Sequence, residues 1–87
     1  MLALLLDEVA RANLETSEAD PPLRDAFEDT LTRIADGGGR DNALRYGGLT
    51  VWSVLFSLPG RDETYQVLWM HAPSGEAVVV HLGRALS

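Results

Sequence analysis

The chain opens with apolar residues at helical spacing. They share one face of a possible helix over about residues 2–15: Leu2, Leu5, Leu6, Val9 and Ala12. Asp7 and Arg11 stand four residues apart in the order that supports a helix. Asp7 and Glu8 interrupt the apolar opening after six residues, and no basic residue precedes it. We therefore expect a helix here, and neither a signal peptide nor a membrane span.

A second helix is predicted over about residues 21–36. Asp20 suits the N-cap, Pro21 suits the first helical position, and Gly37 suits the left-handed residue that ends a helix. Its apolar stripe recurs at i, i+4, i+8 and i+11: Leu23, Phe27, Leu31 and Ile34.

Beyond the second helix the hydrophobic period changes to two, which indicates β-strands. Four strands are predicted over about 43–46, 49–58, 64–71 and 77–82, and Gly47-Gly48 is typical of a tight hairpin turn. Because consecutive strands are joined by short turns, they should form an antiparallel meander. The predicted fold is a single α+β domain over residues 1–87, with two N-terminal helices followed by a three- to four-stranded antiparallel meander.

The turn lengths also predict the strand register. They place Trp52 opposite Trp69, and Trp69 opposite Val80. One sheet face then collects most of the aromatic residues: Trp52, Val54, Phe56, Tyr65, Val67, Trp69, Val78, Val80 and Leu82. A slip of one residue would break this face up.

The opposite sheet face is also predicted to be apolar. Its candidate interface residues are Val51, Leu55, Leu68, Met70 and Val79. If both helices cover the aromatic face, these side chains remain exposed and mark a site for a protein partner or a homodimer. The edge strand 43–46 could also accept a strand from another chain. Alternatively, one helix covers each face and no apolar surface is left.

Composition narrows the possible functions. Thirteen acidic and seven basic residues give a net charge of −6, which opposes direct nucleic-acid binding. The chain has no cysteine, so disulfides and thiolate metal sites are excluded, and a reducing cytoplasm fits. Every cation is an arginine.

No set of residues forms a convincing catalytic, metal or cofactor site. His71 and His81 are predicted on opposite sheet faces, so they cannot share a metal ion. The acidic residues of the second helix fit a solvated face, and the glycines at 37–39 close a helix instead of opening one. Trp52 and Trp69 could stack on bases, but paired strand positions favour a place in the core. We therefore predict no catalytic residue, metal or cofactor.

From about residue 22 onward, the chain resembles the RelE/ParE toxin superfamily. The resemblance lies in three short runs, Ala43–Leu49, Tyr65–Trp69 and Val78–Arg84. The superfamily typically shows a basic residue where Gln66 stands, an aromatic residue where Trp69 stands, and a final Gly-His or Gly-Arg pair, as in Gly83-Arg84. It usually opens with a β-strand, whereas this chain is predicted to open with a helix.

The resemblance implies a toxin fold that acts by protein–protein contact in a bacterial toxin–antitoxin-type system, with an antitoxin-like partner. Nuclease members are strongly basic, whereas this chain is acidic and has Gln66 at the expected cation, so no nuclease activity is expected. The alternative is an acidic interaction module, such as an immunity, inhibitor or antitoxin-like protein, that masks a basic partner. A hydrolase ranks behind both.

Overall fold

The computed structural model describes residues 1–86, which form one α+β layer pair. The elements in chain order are β1 (Leu4–Leu6), α1 (Glu8–Thr16), a short 3-10 helix (Ser17–Ala19), α2 (Pro21–Ala35), β2 (Asn42–Tyr46), β3 (Leu49–Ser57), β4 (Thr64–His71) and β5 (Ala77–Arg84). The five strands make one mixed sheet in the order β1-β5-β4-β3-β2. No helix within residues 1–86 is long and apolar enough to cross a membrane.

The N-terminal strand overturns the predicted arrangement of two helices followed by an antiparallel meander. Leu4 pairs with Ala77 and Leu6 with Val79, so β1 runs parallel to β5 at one edge of the sheet. The helix predicted from residue 2 begins at Glu8, because the Asp7 carboxylate caps it by accepting from the Ala10 amide at 2.8 Å. A short run of leucines fits the periodicity of a helix and of a strand equally well. Leu4–Leu6 form a strand because they pair with the open edge of β5.

The second helix has nearly the predicted bounds, but its first turn is capped differently. Pro21 starts α2, and Gly37 at φ 98° follows its end, as predicted. The Gly38 amide bonds the Arg33 carbonyl at 2.7 Å and closes the last turn. Asp20 is the N-cap residue, as predicted, but its side chain makes no capping hydrogen bond, and its carboxylate is paired with Arg61.

The register between β3 and β4 is confirmed, with Trp52 opposite Trp69, whereas the register between β4 and β5 is only partly as predicted. Leu68 pairs with His81, but Trp69 pairs with Val79 instead of Val80. Val80 is left without a partner in a β-bulge, which inserts one extra residue into β5. Because of the extra residue, the β5 side chains that precede the bulge lie on the sheet face opposite to the predicted one. Val79 therefore faces the same side of the sheet as Trp69.

Both helices pack on one face of the sheet, so the arrangement with one helix on each face is wrong. Phe27 of α2 contacts Phe56 and Tyr65 edge to face, with ring centroids 5.5 and 6.2 Å apart. The buried cluster joins the helices to this face: Ala10, Phe27, Leu31, Ile34, Tyr65, Val67, Trp69, Ala77, Val79 and Leu82. Val79, predicted on the opposite face, is therefore a fully buried core residue.

Candidate functional site

The sheet face opposite the helices is covered by neither α1 nor α2. Strand alternation and pairing place these residues on it: Leu5, Asn42, Leu44, Tyr46, Leu49, Val51, Ser53, Leu55, Ser57, Thr64, Gln66, Leu68, Met70, Val78 and His81. We call this set the open face. Within residues 1–86, none of these strand positions carries Asp, Glu, Lys or Arg.

The open face is most exposed towards its edges and at Leu55, which lies on β3 beyond the last residue that pairs with β2. Leu5 on β1 is 50% exposed and Leu55 on β3 is 48% exposed. Tyr46 and Leu49, at the tip of the β2–β3 hairpin, are also exposed. Met70 and Val78 are half-buried. Exposed apolar side chains that lie together on one face are typical of an interaction surface.

Four of the five candidate interface residues lie on the open face, but they differ in accessibility. Val51 and Leu68 are each only 8% exposed. Leu55 and Met70 are the accessible members. Val79 lies on the helix side, since the bulge turned it into the core. Val78 takes its place on the open face, and no sequence pattern marked the bulge.

The centre of the open face contains a closed polar pair. Gln66 Nε2 donates to Ser53 Oγ at 2.8 Å, and Gln66 Oε1 accepts from the Leu86 amide at 3.0 Å. Gln66 and Ser53 are both buried. Both ends of the Gln66 amide are therefore hydrogen-bonded within the chain.

Charge is segregated away from the open face. Residues 7–36, which form the helix layer and its caps, contain nine acidic residues and three arginines, so they account for the whole net charge of −6. Residues 37–86 contain four acidic residues and four arginines. The molecule thus has a strongly acidic helix side and a neutral, apolar sheet side.

A cleft of about 500 Å³ lies between the helix layer and one end of the sheet. Arg61 donates to both carboxylate oxygens of Asp20 at 2.7 Å, and to the Tyr65 hydroxyl at 3.3 Å. These Arg61 hydrogen bonds hold the pKa of the Asp20 carboxyl below its ordinary 3.8, and the same contact raises the pKa of Arg61. Arg84 lies at the mouth, 3.5 Å from Glu63.

The two tryptophans form a covered stack with Arg40. The Arg40 guanidinium carbon lies 5.1 Å from both the Trp52 and Trp69 ring centroids. Arg40 Nη2 is 2.9 Å from His71 Nε2, and Trp69 Nε1 donates to the Gly39 carbonyl at 2.8 Å. Trp69 is fully buried. The two tryptophans therefore contact the link between α2 and β2 through Gly39 and Arg40. Sequence spacing did not indicate that Arg40 would lie against them.

The remaining titratable candidates stay apart. His71 and His81 lie on opposite sheet faces, as predicted, and His81 Nε2 contacts the Arg84 carbonyl at 2.8 Å. The acidic residues of α2, Asp25, Glu28 and Asp29, are exposed to solvent. Residues 1–86 bring no three His, Asp or Glu side chains together in a way that could hold a metal ion.

Comparison with known proteins adds no relative. No protein-family model matches the sequence, no curated protein matches it, and no solved structure matches the fold.

Proposed function

We propose that this protein acts by protein–protein contact and that the open face is its contact surface. The observation that carries the proposal is the absence of charge from the open-face strand positions of residues 1–86, combined with the exposure of Leu5 and Leu55. Water-facing sheet surfaces are normally polar. An apolar face without charged side chains gains free energy when a partner covers it.

The resemblance to the RelE/ParE superfamily supports a bacterial toxin–antitoxin-type role in the cytoplasm, with an antitoxin-like protein among its partners. The chain opens with β1, as members of that superfamily usually do. Gln66 is neutral and buried, and the net charge is −6. These features support a member without nuclease activity, since an RNA substrate requires positive charge around its phosphates.

A second candidate function rests on the helix side. Nine acidic residues against three arginines in residues 7–36 make this layer a surface that could mask a basic protein, as an immunity or inhibitor protein does. Binding through that layer would weaken steeply with salt, because its charges are exposed. Binding through the open face would depend little on salt.

The test is co-purification with the products of the neighbouring genes, comparing two matched substitutions. Leu55→Asp puts a charge on the open face, whereas Val9→Asp puts one on an exposed apolar residue of α1. We expect Leu55→Asp to abolish capture of the cognate product and Val9→Asp to retain it, at both low and high salt. Capture that is unaffected by Leu55→Asp and lost at high salt would show that the acidic helix layer, and not the open face, is the contact surface.

The absence of nuclease activity is tested separately with purified protein, free RNA and translating ribosomes. The free RNA and the RNA bound to the translating ribosomes should both stay intact. Specific cleavage that disappears in Arg84→Gln would refute this part of the proposal, because Arg84 is the exposed cation at the mouth of the cleft.

A further inference from the structure

We infer that the cleft between the helix layer and the end of the sheet binds a small monocarboxylate, a ligand with one carboxylate group and a compact apolar body. The cleft lies on the helix side of the sheet, so this site goes beyond the proposed function and leaves the open face to the protein partner. Its volume of about 500 Å³ falls within the roughly 300–1,000 Å³ of small-molecule sites. A buried hydroxyl, an exposed guanidinium and an apolar floor define the ligand.

The buried hydroxyl belongs to Tyr65, which is only 5% exposed. Its oxygen accepts a hydrogen bond from Arg61 Nη1 at 3.3 Å, and Arg61 is itself fixed by both carboxylate oxygens of Asp20. Among the side-chain hydrogen bonds within residues 1–86, none uses the Tyr65 hydroxyl proton. A phenol donates as well as accepts, and accepting from a cation makes it a stronger donor. An acceptor atom of a ligand in the cleft would complete its hydrogen bonding.

Arg84 supplies a cation beside this hydroxyl. It pairs with Tyr65 across β4 and β5, so the two side chains start next to each other and line the same cleft. The Arg84 side chain is 76% exposed, and the carboxylate that it contacts within residues 1–86, Glu63, is 3.5 Å away. That distance exceeds the about 2.7–2.9 Å of a charge-assisted hydrogen bond. The guanidinium therefore keeps its planar fork of donors available for the two oxygens of a carboxylate.

The floor of the cleft is apolar and accounts for the body of the ligand. The Phe27 ring meets the Tyr65 ring edge to face, with centroids 6.2 Å apart, beneath the hydroxyl. Leu23 of α2 is half-buried in the same wall. Covering this surface releases water only if the ligand carries apolar atoms next to its carboxylate. A bare anion such as acetate gains only the polar contacts.

The charges of the cleft favour a monoanion. Two arginines and two carboxylates line it, Arg61 with Asp20 and Arg84 with Glu63, so its formal charges cancel. Asp20 neutralises Arg61 at 2.7 Å, which leaves Arg84 as the cation that a ligand can use once Glu63 turns to solvent. A phosphate dianion would bring a second negative charge close to the same two carboxylates. A single carboxylate needs one cation only.

The experiment is a titration of the whole, isotope-labelled chain with benzoate and with isovalerate, followed by two-dimensional NMR. We expect saturable shifts of the Glu63, Tyr65 and Arg84 amides, with a Kd of about 0.1–10 mM, in keeping with so few ligand atoms. Acetate lacks the apolar body and benzylamine lacks the carboxylate, so each should bind at least about tenfold more weakly. No saturation by about 50 mM benzoate and isovalerate overturns the inference. Inorganic phosphate that binds as tightly as benzoate overturns the carboxylate assignment.

Three substitutions in the cleft change the affinity for benzoate in different directions. Arg84→Gln should weaken it about tenfold or more, because a charge-assisted hydrogen bond is lost. Tyr65→Phe keeps the ring and should weaken it about threefold or more. Glu63→Gln should tighten it about threefold, because the competing carboxylate is gone, and a misfolded protein cannot produce that gain.

Arg45→Gln is the matched control, since Arg45 is an exposed arginine of β2 outside the cleft. It should bind benzoate as the wild type does. Equal affinities in Arg84→Gln and Arg45→Gln would overturn the inference. Leu55→Asp should also bind benzoate normally, so failure at the cleft and failure at the open face are distinguishable.

A carboxylate with an apolar body occurs as a free acid and at the C-terminus of a protein. N-acetyl-glycyl-leucine distinguishes these sources: tighter binding than isovalerate assigns the cleft to a protein C-terminus, and weaker binding assigns it to a free acid. The amide of the same dipeptide lacks the carboxylate and should bind at least about tenfold more weakly than the acid. Equal binding of the acid and the amide would contradict recognition of a carboxylate.

Discussion

Gly39 lies where the chain turns from α2 towards β2, and replacing it with alanine should destabilise the fold sharply. Its φ is +75°, and a Cβ there would lie 2.6 Å from Ile34 Cγ1 and 3.4 Å from Trp69 Nε1. Ile34 and Trp69 are fully buried, so neither side chain can move into solvent. The Gly39 carbonyl also accepts the Trp69 indole hydrogen bond.

Two costs add in Gly39→Ala. A left-handed backbone costs a residue other than glycine about 1–2 kcal/mol. Forcing a methyl group into a packed core costs about 1–3 kcal/mol more. The total of about 2–5 kcal/mol is a large part of the about 4–13 kcal/mol of unfolding free energy that a chain of this length typically has. Gly47→Ala is the matched control, with φ +62° and open space around its Cβ, and should lose only the backbone term.

Urea unfolding, followed by tryptophan fluorescence and by circular dichroism, measures both variants. A double-mutant cycle separates the two costs: in an Ile34→Ala background, Gly39→Ala should approach the cost of Gly47→Ala, because the clashing atom is gone. Equal losses for Gly39→Ala and Gly47→Ala in the wild-type background would refute the argument that close packing, and not only backbone conformation, requires glycine at position 39.

Three further outcomes are expected. In thermal unfolding, Leu6→Ala should lower the free energy of unfolding by about 2 kcal/mol or more, and Leu5→Ala by less than about 1 kcal/mol. The reason is that Leu6 packs on the core, whereas Leu5 faces water. If residues 4–6 were helical, both substitutions would be costly. Asp20→Asn should destabilise the protein at pH 7, and the loss should shrink as the pH falls below about 4, because a carboxyl pKa held below its unfolded value stabilises the fold only while the group is ionised; a loss that does not depend on pH would contradict the Arg61 pairing. Arg45→Gln, on an exposed strand position, should change unfolding stability by less than about 0.5 kcal/mol.

The association predictions and the stability predictions are independent. Leu55→Asp tests a surface that contributes little to the folded monomer, because the side chain is nearly half exposed. Leu68 would be a poor choice for the same test. It is buried within the monomer, so a charge there would unfold the chain and say nothing about a partner.

The sequence alone determined those elements whose signals are local. Residues at both ends of α2 favour a helix start and a helix stop, and the Gly47-Gly48 turn joins two alternating runs. The β3–β4 register followed from turn length and from the Trp52–Trp69 pair. In each case, the deciding signals are a short turn or a helix end, whose residues lie within a few positions of one another, so chain connectivity makes the choice.

Only the tertiary structure decided the features that depend on distant partners. The leucines at 4–6 form a strand because β5, more than seventy residues away, offers an unpaired edge. One extra residue, Val80, moved Val79 into the core and put Val78 on the open face. The Asp20 carboxylate pairs with Arg61 and makes no capping hydrogen bond to α2. Strand pairing, bulges and ion pairs depend on contacts between segments that are distant in the sequence, and hydrophobic periodicity within one segment carries no information about those contacts. The residues that make up the open face were therefore determined by the fold.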